Sequence, residues 1–265
     1  MTGVLELLPS GFGRGSLRLV ERNAVAYRRS WLPWLAAMVE PLLYLLSIGI
    51  GVGALVGDLP GPGGTPIPYD QFVAPGLMAA AAMNGAAFDT TFGFFVKLKY
   101  FHAYDGILAT PMGPADVVGG ETLWSLGRGG AYATAFLGAM LALGLVASPW
   151  AVLAVPVALL IGLAFAATGL AASSFMRSWV DFDYVNLVLI PLFLFSGIFF
   201  PIDRYPGWLA TVVQLTPLYQ GVALERALVL GDVSWGLLVH VAYLVAMAGI
   251  GLRVATRRLG GLLLP

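Results

Sequence analysis

Long stretches with almost no charge decide what this chain can fold into. Apolar runs recur at 34–57, 72–96, 123–147, 151–175, 184–201 and 235–254. Each is near the roughly twenty residues that an α-helix needs to cross a bilayer core. The runs are continuous rather than alternating, so they read as helices and not as barrel strands. Only 11% of the 265 residues are charged and 59% are hydrophobic, whereas a soluble domain carries about a quarter charged residues. The expected fold is an all-α membrane protein of six transmembrane helices, forming one transmembrane domain over 1–265.

The positive residues give the expected orientation. Arg14, Arg18, Arg22, Arg28 and Arg29 precede the first run, Lys97 and Lys99 follow the second, Arg177 follows the fourth, and Arg253, Arg257 and Arg258 follow the sixth. The alternate connections hold only Arg204 and Arg226. Eleven positive charges against two put both termini in the cytoplasm. The first thirty residues lack an apolar core of signal-peptide length.

Residues 13–33 (GRGSLRLVERNAVAYRRSWLP) read as a cytoplasmic amphipathic helix within an N-terminal segment 1–33. Leu17, Val20, Ala24 and Tyr27 form its apolar stripe, and Arg14, Arg18, Arg22 and Arg29 face elsewhere. The alternative is that these arginines only set topology. The Pro/Gly-rich 59–69 reads as an irregular external connection. The short Ser148-Pro149-Trp150 link makes the third and fourth helices adjacent and antiparallel.

Between 202 and 234 the chain is apolar but broken. Pro206 can start a short helix, Pro217 interrupts it and Gly231 can end a second. Neither piece is long enough to span, so a re-entrant or interfacial pair of extracellular helices is expected. No internal repeat is visible, which counts against repeat-built secondary transporters.

Several chemistries have no support. No G-x-x-x-x-G-K-[ST] loop is present to hold nucleotide phosphates. His102 and His240 have no ligand-spaced partners and cysteine is absent, so no metal site is expected. A net charge of zero argues against nucleic acid. Ser196 and His240 superficially suggest an intramembrane serine protease, but Leu194 occupies the first glycine position of G-x-S-G. A serine in such a helix more commonly bonds its own backbone.

Residues 186–228 run NLVLIPLFLFSGIFFPIDRYPGWLATVVQLTPLYQGVALERAL. A helix exits through Ser-Gly-aromatic-Pro, a Pro-containing turn follows, and a Leu-Thr-Pro-Leu segment leads to Glu-Arg. This resembles the signature of ABC type-2 transport permeases. EPLLYLLSIGIGVG (40–53), YDQFVAPGL (69–77) and ILATPMGPADVVGGE (107–121) are similar to its lipooligosaccharide (nodulation-factor) and drug-exporting branch. The resemblance runs from about Arg22 onward.

It implies a non-enzymatic transport subunit in a bacterial cytoplasmic (inner) membrane. Two such subunits, identical or related, would pair with a separate P-loop ATPase that binds ATP and Mg. The cargo would be an amphipathic small molecule or glycolipid. The competing readings are an ion-gradient-driven transporter or channel and, third, the intramembrane protease.

The resemblance also makes 97–121 the segment that docks on the ATPase, through Tyr100, Phe101, Tyr104, Asp105, Ile107 and Leu108; an interfacial aromatic belt is the alternative. Ionisable residues inside spans are costly and suggest function. Glu40, Asp89 and Arg128 lie about 9, 12 and 10 Å along their helices from the cytoplasmic ends. Arg128 at this shared depth is expected to pair with Asp89 or Glu40; snorkelling to the cytoplasmic edge is the alternative. Gly49, Gly51, Gly53 and Gly57 allow close helix packing. Pro201, Trp208, Pro217 and Tyr219 are candidates for an extracellular gate, or for a membrane-interface belt.

Overall fold

The computed structural model describes residues 13–28 and 31–263. Helix α1 (Arg14–Tyr27) precedes α2 (Trp31–Val56), α3 (Tyr69–Phe88), a π-helical turn (Asp89–Gly93) and α4 (Phe94–Lys99). After the short α5 (Asp105–Leu108) come α6 (Pro114–Ala142), α7 (Ala154–Ser173) and α8 (Asp181–Phe195). The short α9 (Gly207–Gln214) and α10 (Pro217–Leu230) lead to α11 (Leu237–Leu263). Arg29, part of the expected α1 arginine set, lies outside the described residues.

Among the described residues, three segments are long and apolar enough to cross a membrane: Val39–Val56, Pro149–Ser173 and Leu237–Leu262. The fold is therefore an all-helical membrane domain.

Helices α3 and α7 sit at its centre. Val73, Ala74, Met78 and Met83 of α3 and Ala158, Ile161, Ala164 and Leu170 of α7 are fully enclosed. Small residues let these helices approach closely. A Cβ on Gly169 of α7 would lie 2.2 Å from Thr90 Oγ1, and one on Gly251 of α11 would lie 2.7 Å from the Ala167 backbone. Gly49 and Gly53 face Asp70 and Tyr69 at the start of α3, whereas Gly51 faces open space. By contrast, α8 buries no residue.

Several boundaries differ from the hydropathy reading, each for a local reason. Helix α6 starts at Pro114, nine residues before the apolar run. Pro114 takes the first helical position and Asp116 Oδ2 accepts from the Gly113 N–H at 3.0 Å, so capping chemistry rather than hydropathy sets the start. The helix ends at Ala142 because Gly144 adopts φ +73°. The N–H groups of Gly144 and Leu145 then close onto the Leu141 and Met140 carbonyls, a Schellman stop. Helix α8 ends at Phe195, before Gly197 at φ +74°. Helix α11 continues to Leu263, and Arg258 lies over the Phe175 ring at 3.9 Å. The Pro/Gly-rich loop closes as a small antiparallel hairpin, with Leu59 opposite Ile67.

The face of α1 is also displaced. Ser16, Leu19 and Asn23 are buried, Val20 and Tyr27 half-buried, and Leu17 and Ala24 exposed. The helix packs on α6, where a Cβ on Gly120 would meet Leu19 at 2.6 Å. Polar positions can face inward because Ser16 Oγ donates to the Asp116 carbonyl at 3.2 Å and Asn23 Nδ2 to Glu121 at 3.2 Å.

Candidate substrate pathway and helix junction

The π-turn lies where α3 carries its ionisable residue. Such turns leave carbonyls without regular partners and recur at functional sites. Here Thr90 and Thr91 donate to the Ala86 and Ala87 carbonyls at 2.7 and 2.6 Å. Arg128 Nη1 donates to Asp89 Oδ1 at 2.8 Å, and its Nη2 donates to the Tyr132 hydroxyl at 3.3 Å. A paired, hydrogen-bonded guanidinium avoids much of the cost of a bare buried charge.

This pair lines a cavity of about 880 Å³ bounded by α2, α3, α6, α7 and α8. Glu40, Asn84, Lys97 and Asn186 share its wall with the rings of Tyr44 and Phe193. A second cavity, of about 750 Å³, runs beside α8 from Arg177 and Asp181 to Pro217. Its middle is apolar, lined by Val185, Val188, Leu192 and Met247. Thr91 and Leu189 belong to both walls, so the two spaces adjoin.

Toward the positively charged ends of the helices, one carboxylate ties four segments together. Glu121 of α6 is 3% exposed. Its Oε2 accepts from Lys97 Nζ at 2.7 Å, and its Oε1 accepts from the Tyr104 hydroxyl at 3.0 Å and from Asn23 Nδ2 at 3.2 Å. Burial, reinforced by the adjacent Glu121 charge, pushes the Tyr104 hydroxyl pKa well above its ordinary value.

The docking candidates therefore divide. Tyr104 is enclosed, with its ring stacked on Phe94 at 5.1 Å, so it anchors the segment instead of presenting a surface. Ile107 and Leu108 are partly buried against the same cluster. Tyr100 is half-exposed and tilted over Trp179 at 5.0 Å. Phe101 and Asp105 are exposed, and Asp105 lies 3.2 Å from His102, which holds a left-handed φ of +46°.

At the opposite end, Arg226 is a packing residue and not a loop charge. Its Nε donates to the Phe72 carbonyl at 3.2 Å and its Nη2 to those of Gly197 and Ile198 at 2.8 and 3.3 Å. It also lies 3.8 Å from the centre of the Phe72 ring. Arg226 thus fastens the Ser-Gly-aromatic exit of α8 to α3. Its neighbour Glu225 is fully buried, and neither carboxylate oxygen has a hydrogen-bond partner among the described residues. Both residues belong to the Glu-Arg pair of the sequence signature, but no rule of spacing assigns them these roles.

The gate candidates are scattered over this end. Pro201 precedes a short 3₁₀ turn, Pro217 opens α10 and reaches the second cavity, and the Tyr219 ring lies against Gly197. Trp208 is 72% exposed. Ser196 Oγ turns to the Phe193 carbonyl at 3.5 Å, while His240 Nδ1 meets the Gln220 amide oxygen. Each is engaged with a different partner, so no serine–histidine pair forms.

An all-helical membrane domain with a charged pair on the wall of one largely apolar cavity, and a second cavity adjoining it, has the features of a transport subunit. The chain belongs to the ABC-2 type transporter family, whose pattern matches residues 16–230. It is thus a permease subunit of an ABC transporter. It is similar to nodulation protein J of Rhizobium leguminosarum bv. trifolii, 32% identical over 237 residues that cover 87% of this chain and 88% of that protein. Nodulation protein J of Rhizobium meliloti strain 1021 is 28% identical over 250 residues, covering 90% and 93%. The probable doxorubicin resistance ABC transporter permease protein DrrC of Mycobacterium tuberculosis is 24% identical over 257 residues, covering 92% and 88%.

Proposed function

We propose that this permease exports an amphipathic cargo, either a lipid-linked saccharide or a hydrophobic drug, using ATP hydrolysed by a separate P-loop ATPase. The observation that carries the reading is the pair of adjoining cavities. One offers charge and amide groups at inner-leaflet depth, and the other offers an apolar channel along α8. Such a pair suits a molecule with a polar head and an apolar body. The nodulation and doxorubicin-resistance names of the relatives agree with it.

On this reading the bundle spans a bacterial inner membrane six times with both termini in the cytoplasm, and α9 and α10 form the re-entrant pair. Two permease subunits, identical or related, meet two ATPases that bind ATP and Mg. The junction of α4, α5 and α6 receives the ATPase, with Phe101 and Asp105 outermost. The ion-gradient alternative relied on Asp89, whose carboxylate is committed to Arg128.

The test uses inside-out vesicles carrying the chain with its ATPase and a panel of fluorescent amphiphiles. Uptake that needs ATP, stops with vanadate and survives dissipation of ion gradients is expected. Uptake driven by an imposed ion gradient without ATP would overturn the reading.

A further inference from the structure

On the wall of the first cavity one acid is left out of the charge pairing. Two carboxylates and two cations line it: Glu40, Asp89, Lys97 and Arg128. Both cations are committed, Lys97 to Glu121 at 2.7 Å and Arg128 to Asp89 at 2.8 Å. Glu40 has no hydrogen-bond or ion-pair partner among the described residues, and it is exposed to the cavity. A carboxylate at membrane depth without a counter-charge is costly. A positive ligand group would offset that cost.

Aromatic rings reinforce this preference. Elsewhere on the same wall, Lys97 lies 5.8 Å from the Tyr27 ring centre and Arg128 lies 5.9 and 5.8 Å from those of Tyr27 and Tyr132. The walls are thus already built to place cations over ring faces. Tyr44, one helical turn beyond Glu40, pairs with Phe193 of α8 at 6.3 Å, and this ring pair has no resident cation among the described contacts.

We propose that Glu40, with the Tyr44–Phe193 ring pair, is the subsite that recognises the positively charged group of an amphipathic cargo. The apolar part of that cargo passes Thr91 and Leu189 into the cavity beside α8. This assignment rests on the exporter reading and narrows its substrate class to lipophilic cations.

Tetraphenylphosphonium and tetraphenylborate, nearly equal in size and opposite in charge, test it. Their equilibrium binding is measured on the full permease–ATPase complex in lipid nanodiscs. The cation should bind at least about tenfold more tightly than the anion, and Glu40→Gln should remove most of that preference, whereas Glu40→Asp should keep it. Tyr44→Leu should weaken the cation several-fold and leave the anion unchanged. A decyl chain on the phosphonium should tighten binding to the wild type, and Leu189→Trp should remove that gain.

Equal affinity for the two ions, or cation binding indifferent to both Glu40→Gln and Tyr44→Leu, would overturn the assignment. The ATPase content of the same complexes is measured independently. An ATPase present with charge-blind binding sinks this subsite and leaves the exporter reading. An ATPase absent with Glu40-dependent binding does the reverse.

Discussion

Replacing Glu121 by Gln removes one negative charge and almost no volume from the junction of α1, α4, α5 and α6. Glu121 and Lys97 have side chains only 4% and 13% exposed, so solvent screens the pair little. Breaking a buried pair from one side costs about 3–5 kcal/mol. The amide still accepts one bond, so the lower end, about 3 kcal/mol, is expected. That corresponds to an unfolding midpoint lower by roughly 6–12 °C in detergent.

The double variant Glu121→Gln with Lys97→Met leaves no orphaned cation and should recover more than half of the loss. Tyr104 supplies a second readout at the same carboxylate. Its folded-state pKa lies above the unfolded value of about 10, so the native state keeps a proton that the unfolded state gives up. Stability from this group is complete below about pH 10 and declines as pH rises through the folded pKa. Tyr104→Phe should flatten that alkaline decline. The assay is intrinsic-fluorescence melting from pH 7 to 11, alongside proteolysis of the 100–111 loop. A Glu121→Gln midpoint equal to wild type, or a double variant no better than the single, would refute the reasoning.

Three other outcomes follow from the geometry. Exchanging Asp89 and Arg128 should restore most of the expression that each single charge change loses, as read by membrane yield. An exchanged pair no better than either single would show that the bond in place does not support the fold. Gly169→Ala should cost about 1–3 kcal/mol because its methyl group enters Thr90, and adding Thr90→Ala should relieve it in the same melting assay; no relief would contradict the close-approach account. Phe101→Ala with Asp105→Ala should leave the midpoint unchanged, because both side chains are exposed, while lowering ATPase recovery several-fold. Full recovery would remove this surface from the docking face.

Much of the architecture was legible because hydrophobicity and charge act locally along the chain. Counting rise per residue from the helix ends brought Asp89 and Arg128 to one level, and the structure bonds them. The Gly113-Pro114-x-Asp116 start and the Gly144 stop of α6 were also written in local chemistry, but a hydropathy window averages such signals away. The junction was hidden for a different reason. The partners of Glu121 lie 98, 24 and 17 residues away, and no periodicity connects them. The same holds for Gly169 and Thr90, and for Arg226 with carbonyls 28, 29 and 154 residues distant. The α1 stripe was misassigned because burial favoured Ser16 and Asn23, whose partners on α6 satisfy them. Hydrophobicity alone would have chosen Leu17.

The central claim is that this membrane subunit works with a separate ATPase. The direct measurement is mild-detergent extraction of the tagged chain from its native membranes, with quantitative mass spectrometry of what accompanies it. The account predicts a P-loop ATPase in roughly equal amount to the permease, sharply reduced by Phe101→Ala with Asp105→Ala. An intact, monodisperse permease recovered without any such ATPase would contradict it.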